Sequence, residues 1–232
     1  EIARLRREAE ARRHAWLTDG QRKLDEVMRG EKGIAQLADD MVAAMVQHVG
    51  AHIGALYILE ENGEHLRRAG RYAVDPDTPT MFKVGSGLVG QAVLDREVRL
   101  IDPVDPGHVR VLSSFMSGPP AAFLITPVSF EGHVTGVIEL GTLTAFDESH
   151  QEYLRSAMPS IGIAINVAAN RERISELLEE TQRQGEELQV QQEELQQSNE
   201  EPQEQSERLK VQQEELQVTN EELEERSQTM EK

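Results

Sequence analysis

The chain has 232 residues and 42 acidic against 24 basic side chains, a net charge of −18 that repels nucleic-acid phosphates and anionic lipid. It has no cysteine, which excludes disulfides, thiolate nucleophiles, Cys-ligated zinc and thioether-linked chromophores. No apolar run reaches the ~18 residues of a membrane helix, and no signal peptide is visible.

The charge is uneven: residues 171–232 hold 7 Lys/Arg and 19 Glu, whereas residues 1–23 hold 7 Lys/Arg and 4 acids. All nine aromatic residues lie at or before Tyr153, so a sizeable core is expected only upstream of the acidic tail. The sequence opens at Glu1 inside a helical pattern and without Met, as expected for a piece of a longer protein.

In chain order, Glu1–Leu17 reads as a helix with a poor apolar stripe, a second helix of an oligomer rather than a free surface helix. Thr18-Asp19-Gly20 reads as a break, after which Leu24, Val27 and Met28 continue a short helical pattern to Gly30. Gly33–Val49 is the clearest helix, with Ile34, Leu37, Ala38, Met41, Val42, Met45 and Val46 at helical spacing. His52–Glu60 and Leu66–Val74 are strands joined by a Glu61-Asn62-Gly63 turn, and Met81–Val84 is a third. Leu88–Asp95 fits a short helix and Val98–Ile101 a strand. Asp105–Ser117 is polar and irregular, a covering segment. Ala121–Ser129 and His133–Thr142 form a hairpin about Glu131-Gly132, and Asp147 caps the last helix. Hairpins flanked by helices give an α+β domain with an antiparallel sheet, not alternating βαβ.

The tail repeats itself. Val190-Gln191-Gln192-Glu193-Glu194-Leu195-Gln196 recurs as Val211-Gln212-Gln213-Glu214-Glu215-Leu216-Gln217, and Ser198-Asn199-Glu200-Glu201 as Thr219-Asn220-Glu221-Glu222, both 21 residues on. Three heptads hold one apolar face only by supercoiling around a partner, parallel or antiparallel. With Leu188, Leu195, Pro202, Leu209, Leu216, Leu223 and Met230 at d, the a positions are Gln192, Asn199, Ser206, Gln213, Asn220 and Ser227. Asn at a fixes register and favours two parallel strands at a cost in stability. Pro202 stands where the repeat calls for Leu and is expected to break or kink the helix. Gly185 is a second weak point.

The middle of the chain carries a resemblance. Gly54-Ala55-Leu56-Tyr57, then Val84-Gly85-Ser86-Gly87-Leu88-Val89-Gly90, Ile101-Asp102, Thr126-Pro127-Val128 with its Gly132 turn, and Gly136-Val137-Ile138-Glu139-Leu140 occur in the order found in GAF domains. Residues 33–169 resemble such a domain, between a signalling helix or linker at 1–32 and a coiled-coil linker at 170–232. Each motif alone is weak; their order is more specific. The Trp16-Leu17 lead-in and the Gln-Gln-Glu-Glu-Leu repeat resemble the segment that precedes the kinase in bacterial hybrid sensor histidine kinases. That resemblance covers nearly the whole chain. It implies a cytoplasmic, parallel homodimeric sensory and relay module of a two-component system, the parent anchored upstream in a membrane. The phosphoacceptor and nucleotide-binding segments of a kinase are absent from this sequence, so it is expected not to be an enzyme. A structural coiled-coil scaffold or dimerisation module without ligand is the alternative.

In such a domain the pocket lies between sheet and covering segments. Tyr72, Phe82, Leu88, Phe115, Met116 and Phe123 are its candidate liners, with Arg71 and Glu139 for polar contacts; the competing reading is that these residues fill the core. No cofactor or metal is expected, and an unknown small molecule is the open possibility. Gly85-Ser86-Gly87-Leu88-Val89-Gly90 matches a dinucleotide fingerprint with Asp105 downstream, but that site needs a parallel βαβ unit, so a strand-to-helix turn is the preferred reading. The histidines at 14, 48, 52, 65, 108, 133 and 150 are scattered. His48 and His52 lack a carboxylate partner for a metal, and His108 is the weaker candidate for a haem ligand. The Asn-Lys-Phe-Asp-Glu signature of cyclic-nucleotide GAF domains is absent, and the lack of Cys argues against bilin attachment and against the methionine-sulfoxide reductase activity of some GAF proteins.

Overall fold

The computed structural model describes residues 1–75, 77–102, 111–112, 117–118 and 120–230. The chain divides into two units, Glu1–Arg173 and Ile174–Lys232. The first is built on helices α1 (Ile2–Val27) and α2 (Ile34–Val49), strands β1 (Ile53–Leu59), β2 (His65–Tyr72) and β3 (Met81–Lys83), helix α3 (Gly87–Asp95), strands β4 (Arg99–Ile101), β5 (Val111–Leu112), β6 (Ser117–Gly118), β7 (Ala122–Phe130) and β8 (His133–Thr142), and the start of α4 (Glu148–Met230). The second is helical over its described length.

Six strands form one curled antiparallel sheet in the order β3-β2-β1-β8-β7-β4; β5 and β6 pair separately. The α+β expectation holds, and the two small strands fall in the segment read from sequence as irregular. The β1–β2 and β7–β8 turns form where Gly63 and the Glu131-Gly132 pair take positive φ, the backbone that closes tight hairpins. The β2 strand stops at Tyr72, two residues short of the sequence expectation, because Ala73 turns left-handed at φ 52°.

Alternation along the strands separates two cores. One face turns Leu56, Leu124, Val128, Ile138 and Leu140 toward a helical layer. That layer presents Leu37, Met41, Val42 and Met45 of α2, Leu24 of α1, and Tyr153, Leu154, Met158 and Ile161 of α4. The opposite face carries Ile53, Ala55, Tyr57, Leu66, Phe123, Ile125 and Val137, covered in part by Val89 and Ala92 of α3. Helix α2 ends where Gly50 adopts φ 67°, the usual left-handed stop. Helix α4 starts at Asp147 with reciprocal bonds: the His150 N–H donates to Asp147 Oδ1 (3.0 Å) and the Asp147 N–H donates to His150 Nδ1 (2.9 Å). This is a capping box with an imidazole in the place of Glu.

Three expectations are corrected. Thr18-Asp19-Gly20 does not break the first helix; α1 is continuous through it. Gly20 is buried against α2 and α4, where a side-chain carbon would collide with the His48 imidazole and the Tyr153 ring. The glycine therefore serves close packing, and its helical backbone is paid for by Tyr153, whose hydroxyl donates to the Gly20 carbonyl (3.3 Å). Nor is α1 left to a second chain along its whole length. Trp16 stacks on His48 at 4.3 Å and meets Tyr153 and His150 edge-on, while Arg13 Nε donates to Glu152 Oε2 (2.8 Å) and Gln21 Nε2 to Ser160 Oγ (3.2 Å). Finally, Pro202 does not end the helix: α4 runs through it. A proline forfeits one hydrogen bond but its fixed φ is helical, so long helical flanks carry the backbone past it.

Candidate functional site

The sheet face opposite the helical layer carries a half-open pocket of about 30 Å³ lined by Ile53, Gly54, Ala55, Tyr57, Val74, Thr78, Phe123, Glu139 and Gly141. Its position follows from register. Glu139 of β8 sits between Ala55 of β1 and Ile125 of β7, and Gly141 lies opposite Ile53 and Phe123. Small residues at 55 and 141 leave room on this face, whereas Gly54 faces Val42, Val46 and Leu140 on the other side; a side chain at Gly141 would run into Ile53 and Phe123. The left-handed turn at Ala73 swings Val74 over the opening.

Glu139 is the one acid among the described residues that line the cavity. Burial pushes its carboxyl up to about 7, since removing water disfavours the charged form. No hydrogen bond or ion pair relieves it among the described residues. Tyr57 is also pushed up, first by burial and then by the charge of Glu139, with Arg68 opposing. Arg68 spends its polar groups on the rim: its guanidinium donates to the Thr78 carbonyl (3.4 Å) and its backbone N–H to that of Thr80 (2.7 Å). The Tyr57 ring meets Phe82 edge-on at 5.2 Å. The site offers an uncompensated carboxyl between aromatic and aliphatic walls. Among the described residues it holds no nucleophile–base pair, and no group of three His, Asp or Glu able to hold a metal is found there.

The family description "GAF domain" matches residues 31–166, more than half of the sequence. The chain belongs to the GAF domain family. Solved structures agree in fold. The GAF domain of an Acinetobacter phosphoenolpyruvate-protein phosphotransferase superposes with a TM-score of 0.57 at 17% identity, over 68% of this chain and 97% of that one. An A. Aeolicus GAF domain in an inactive state gives 0.53 at 16%, over 67% and 98%. A free methionine-R-sulfoxide reductase from Neisseria meningitidis, in complex with its substrate, gives 0.52 at 19%, over 64% and 87%. At such identities the likeness carries the fold alone. No curated protein matches the sequence.

Of the eight residues proposed from sequence for the GAF pocket, Phe123 and Glu139 line the cavity. Phe82 packs one layer back, against Tyr57. Arg71 and Tyr72 are exposed at the end of β2, where the Arg71 backbone N–H donates to Asp39 Oδ1 (2.7 Å). Leu88 is exposed on α3. Phe115 and Met116 lie outside the described residues, as do Asp105 and His108. Sequence reading missed Tyr57 and the small residues at 54, 55 and 141. The alternation of Ala55 and Tyr57 on β1 and of Glu139 and Gly141 on β8 was the available signal, but it needed the register.

The glycine fingerprint is a turn in this GAF domain. Gly85 and Gly87 take positive φ, and Gly90 lies so close to the Lys83 carbonyl that a side-chain carbon would clash. Every pairing in the sheet is antiparallel, so the parallel βαβ setting of a dinucleotide site is missing from the described residues. His48 and His52 do not converge: His48 is under Trp16, while His52 Nδ1 accepts from the Leu143 N–H (3.3 Å). No helix among the described residues is long and apolar enough to cross a membrane.

In the second unit, Leu188, Leu195, Leu209 and Leu216 are about two-thirds exposed in the single chain, and Asn220 is exposed. The side chains of Asn199, Leu223 and Met230 lie outside the described residues.

Proposed function

We propose that this GAF-domain chain is a dimeric sensory and relay module of a two-component sensor histidine kinase. Two copies pair in parallel through the heptad leucines, and the state of the GAF domain passes through the coiled coil to a kinase core in the parent chain. The module works in the cytoplasm and performs no chemistry itself. The observation that carries this reading is the stripe of exposed leucines on α4 in a strict sevenfold register. Such a stripe stabilises nothing within one chain, and pairing would gain roughly 1.5–3 kcal/mol per fully buried leucine. Within the second unit the sevenfold series reaches upstream past Thr181 to Ile174, which is more than half exposed.

The test combines sedimentation equilibrium with single-cysteine crosslinking at Leu209→Cys and Leu188→Cys. A parallel, in-register dimer oxidises to a disulfide at each position separately. A monomer at working concentration, or crosslinking only when the two variants are mixed, overturns the reading. A second reading, a scaffold whose GAF domain binds nothing, draws support from the small cavity of about 30 Å³. It expects the same dimer and no ligand response.

A further inference from the structure

We infer that the cavity beside Glu139 binds a small organic cation, a primary ammonium carrying one or two carbons, with the Glu139 carboxylate as counter-ion and the Tyr57 and Phe123 rings as walls. The inference rests on the sensory reading of the domain and names its ligand class.

Four observations converge. Among the described residues, the cavity's lining contains one charged side chain, and it is an acid. That acid has no hydrogen-bond or ion-pair partner among the described residues. A lone buried carboxylate is costly, and in a site of low dielectric an opposite charge a few ångströms away gains far more than in water. Arg68, beside Tyr57 on β2, reaches the rim carbonyl of Thr78 and the Tyr57 hydroxyl, and no cation among the described residues offsets the Glu139 carboxyl. Two aromatic rings, Tyr57 and Phe123, also border the space, and aromatic faces attract organic cations. An anion would meet repulsion from the carboxylate, and no positive group lines the cavity among the described residues.

Size narrows the class. A water molecule needs about 10–15 Å³ of such space, so a cavity of about 30 Å³ holds about two non-hydrogen atoms. Methylammonium fills that space, and ethylammonium presses on the Val74 and Thr78 rim. Val74 follows the left-handed Ala73, so ligand size and the conformation of the β2–β3 segment are coupled. A cation that fits must also strip the proton from Glu139, whose carboxyl titrates near 7. Binding therefore releases a proton below that pH and releases none well above it.

The experiment is calorimetric titration of the full chain with methylammonium chloride and ethylammonium chloride at pH 6 and pH 8. Sodium chloride serves as the ionic-strength control and sodium acetate as the anion control. Saturable methylammonium binding is expected, roughly tenfold tighter at pH 8 than at pH 6, as follows for a carboxyl that ionises at about 7. Glu139→Gln should abolish the binding, and Glu139→Asp should retain the pH dependence at weaker affinity. Heats no larger than those of sodium chloride at pH 8, binding unchanged in a folded Glu139→Gln variant, or preferential binding of acetate would each overturn the inference. Sedimentation of the same samples separates the two readings. A dimer that ignores methylammonium loses this ligand class and keeps the relay. A monomer that binds it keeps the ligand and loses the relay.

Discussion

The GAF unit and the heptad rod of this chain are stabilised by opposite means. In the GAF unit, large apolar side chains such as Met41, Leu56, Leu124, Ile138 and Leu154 are wholly buried against their own chain. In the rod the apolar residues are regular in sequence and bare in space. The first region therefore folds with a free energy that does not depend on concentration. The second has few contacts to gain until another chain supplies them. Sequence regularity is greatest where intramolecular packing is least, because a rod must present the same face repeatedly to an external partner, whereas a globular core matches irregular neighbours.

The largest expected effect tests the first half of that contrast. Leu154 on α4 is wholly buried among the helices and the sheet. Leu154→Ala should cost about 2–5 kcal/mol, the loss of transfer energy plus the cavity left behind. Urea unfolding followed by Trp16 fluorescence should show a loss that is unchanged over a hundredfold range of protein concentration. A loss that shrinks on concentrating the sample would mean that the domain too is held by its partner.

Pro202→Leu tests the other half. It restores a helix hydrogen bond and a d-position leucine together, and a proline in a helix interior costs about 3 kcal/mol. The helical signal of the tail should melt higher in the variant, and the gain should grow with protein concentration. Melting at an unchanged or lower temperature would contradict the heptad assignment. A gain independent of concentration would mean that the repair acts on the single helix and not on pairing.

These two regions were also legible to different degrees. The antiparallel α+β order could be read because α2 and the strands carry clean periodicities and because Gly63 and Gly132 mark the hairpins. The heptads could be read from exact repetition. Gly20 was misread because local sequence offers only its helix-breaking tendency, while the reason for it lies on His48 and Tyr153, 28 and 133 residues away in the chain. The pocket was half legible. Glu139 and Phe123 stand out by chemistry, but Arg71 and Tyr72 are exposed at the end of β2, and Tyr57 enters by its alternation with Ile53 and Ala55, which only the pairing of β1 with β8 sets beside Glu139. Strand register is set by tertiary packing and leaves no local signature.

The smallest of the three effects isolates what the GAF domain sacrifices at its cavity. Glu139 has its carboxyl raised from an ordinary 4.5 to about 7 by burial. In the unfolded chain it ionises at the ordinary value, so between those two pH values the folded state holds a proton that the unfolded state has released. Stability contributed by the neutral carboxyl is thus fully present below pH 4.5 and is lost as pH rises through 7. Above that, the folded domain carries a penalty of up to about 3 kcal/mol. Glu139→Gln keeps the shape and removes the charge. It should raise the unfolding midpoint at pH 8 by that amount, and the two proteins should converge near pH 4. Added methylammonium should narrow the gap at pH 8 by stabilising the Glu139 protein alone, because a ligand bound only to the folded state offsets the cost of the buried charge. An equal gap at both pH values would place the benefit in packing and leave the carboxylate without a role in binding.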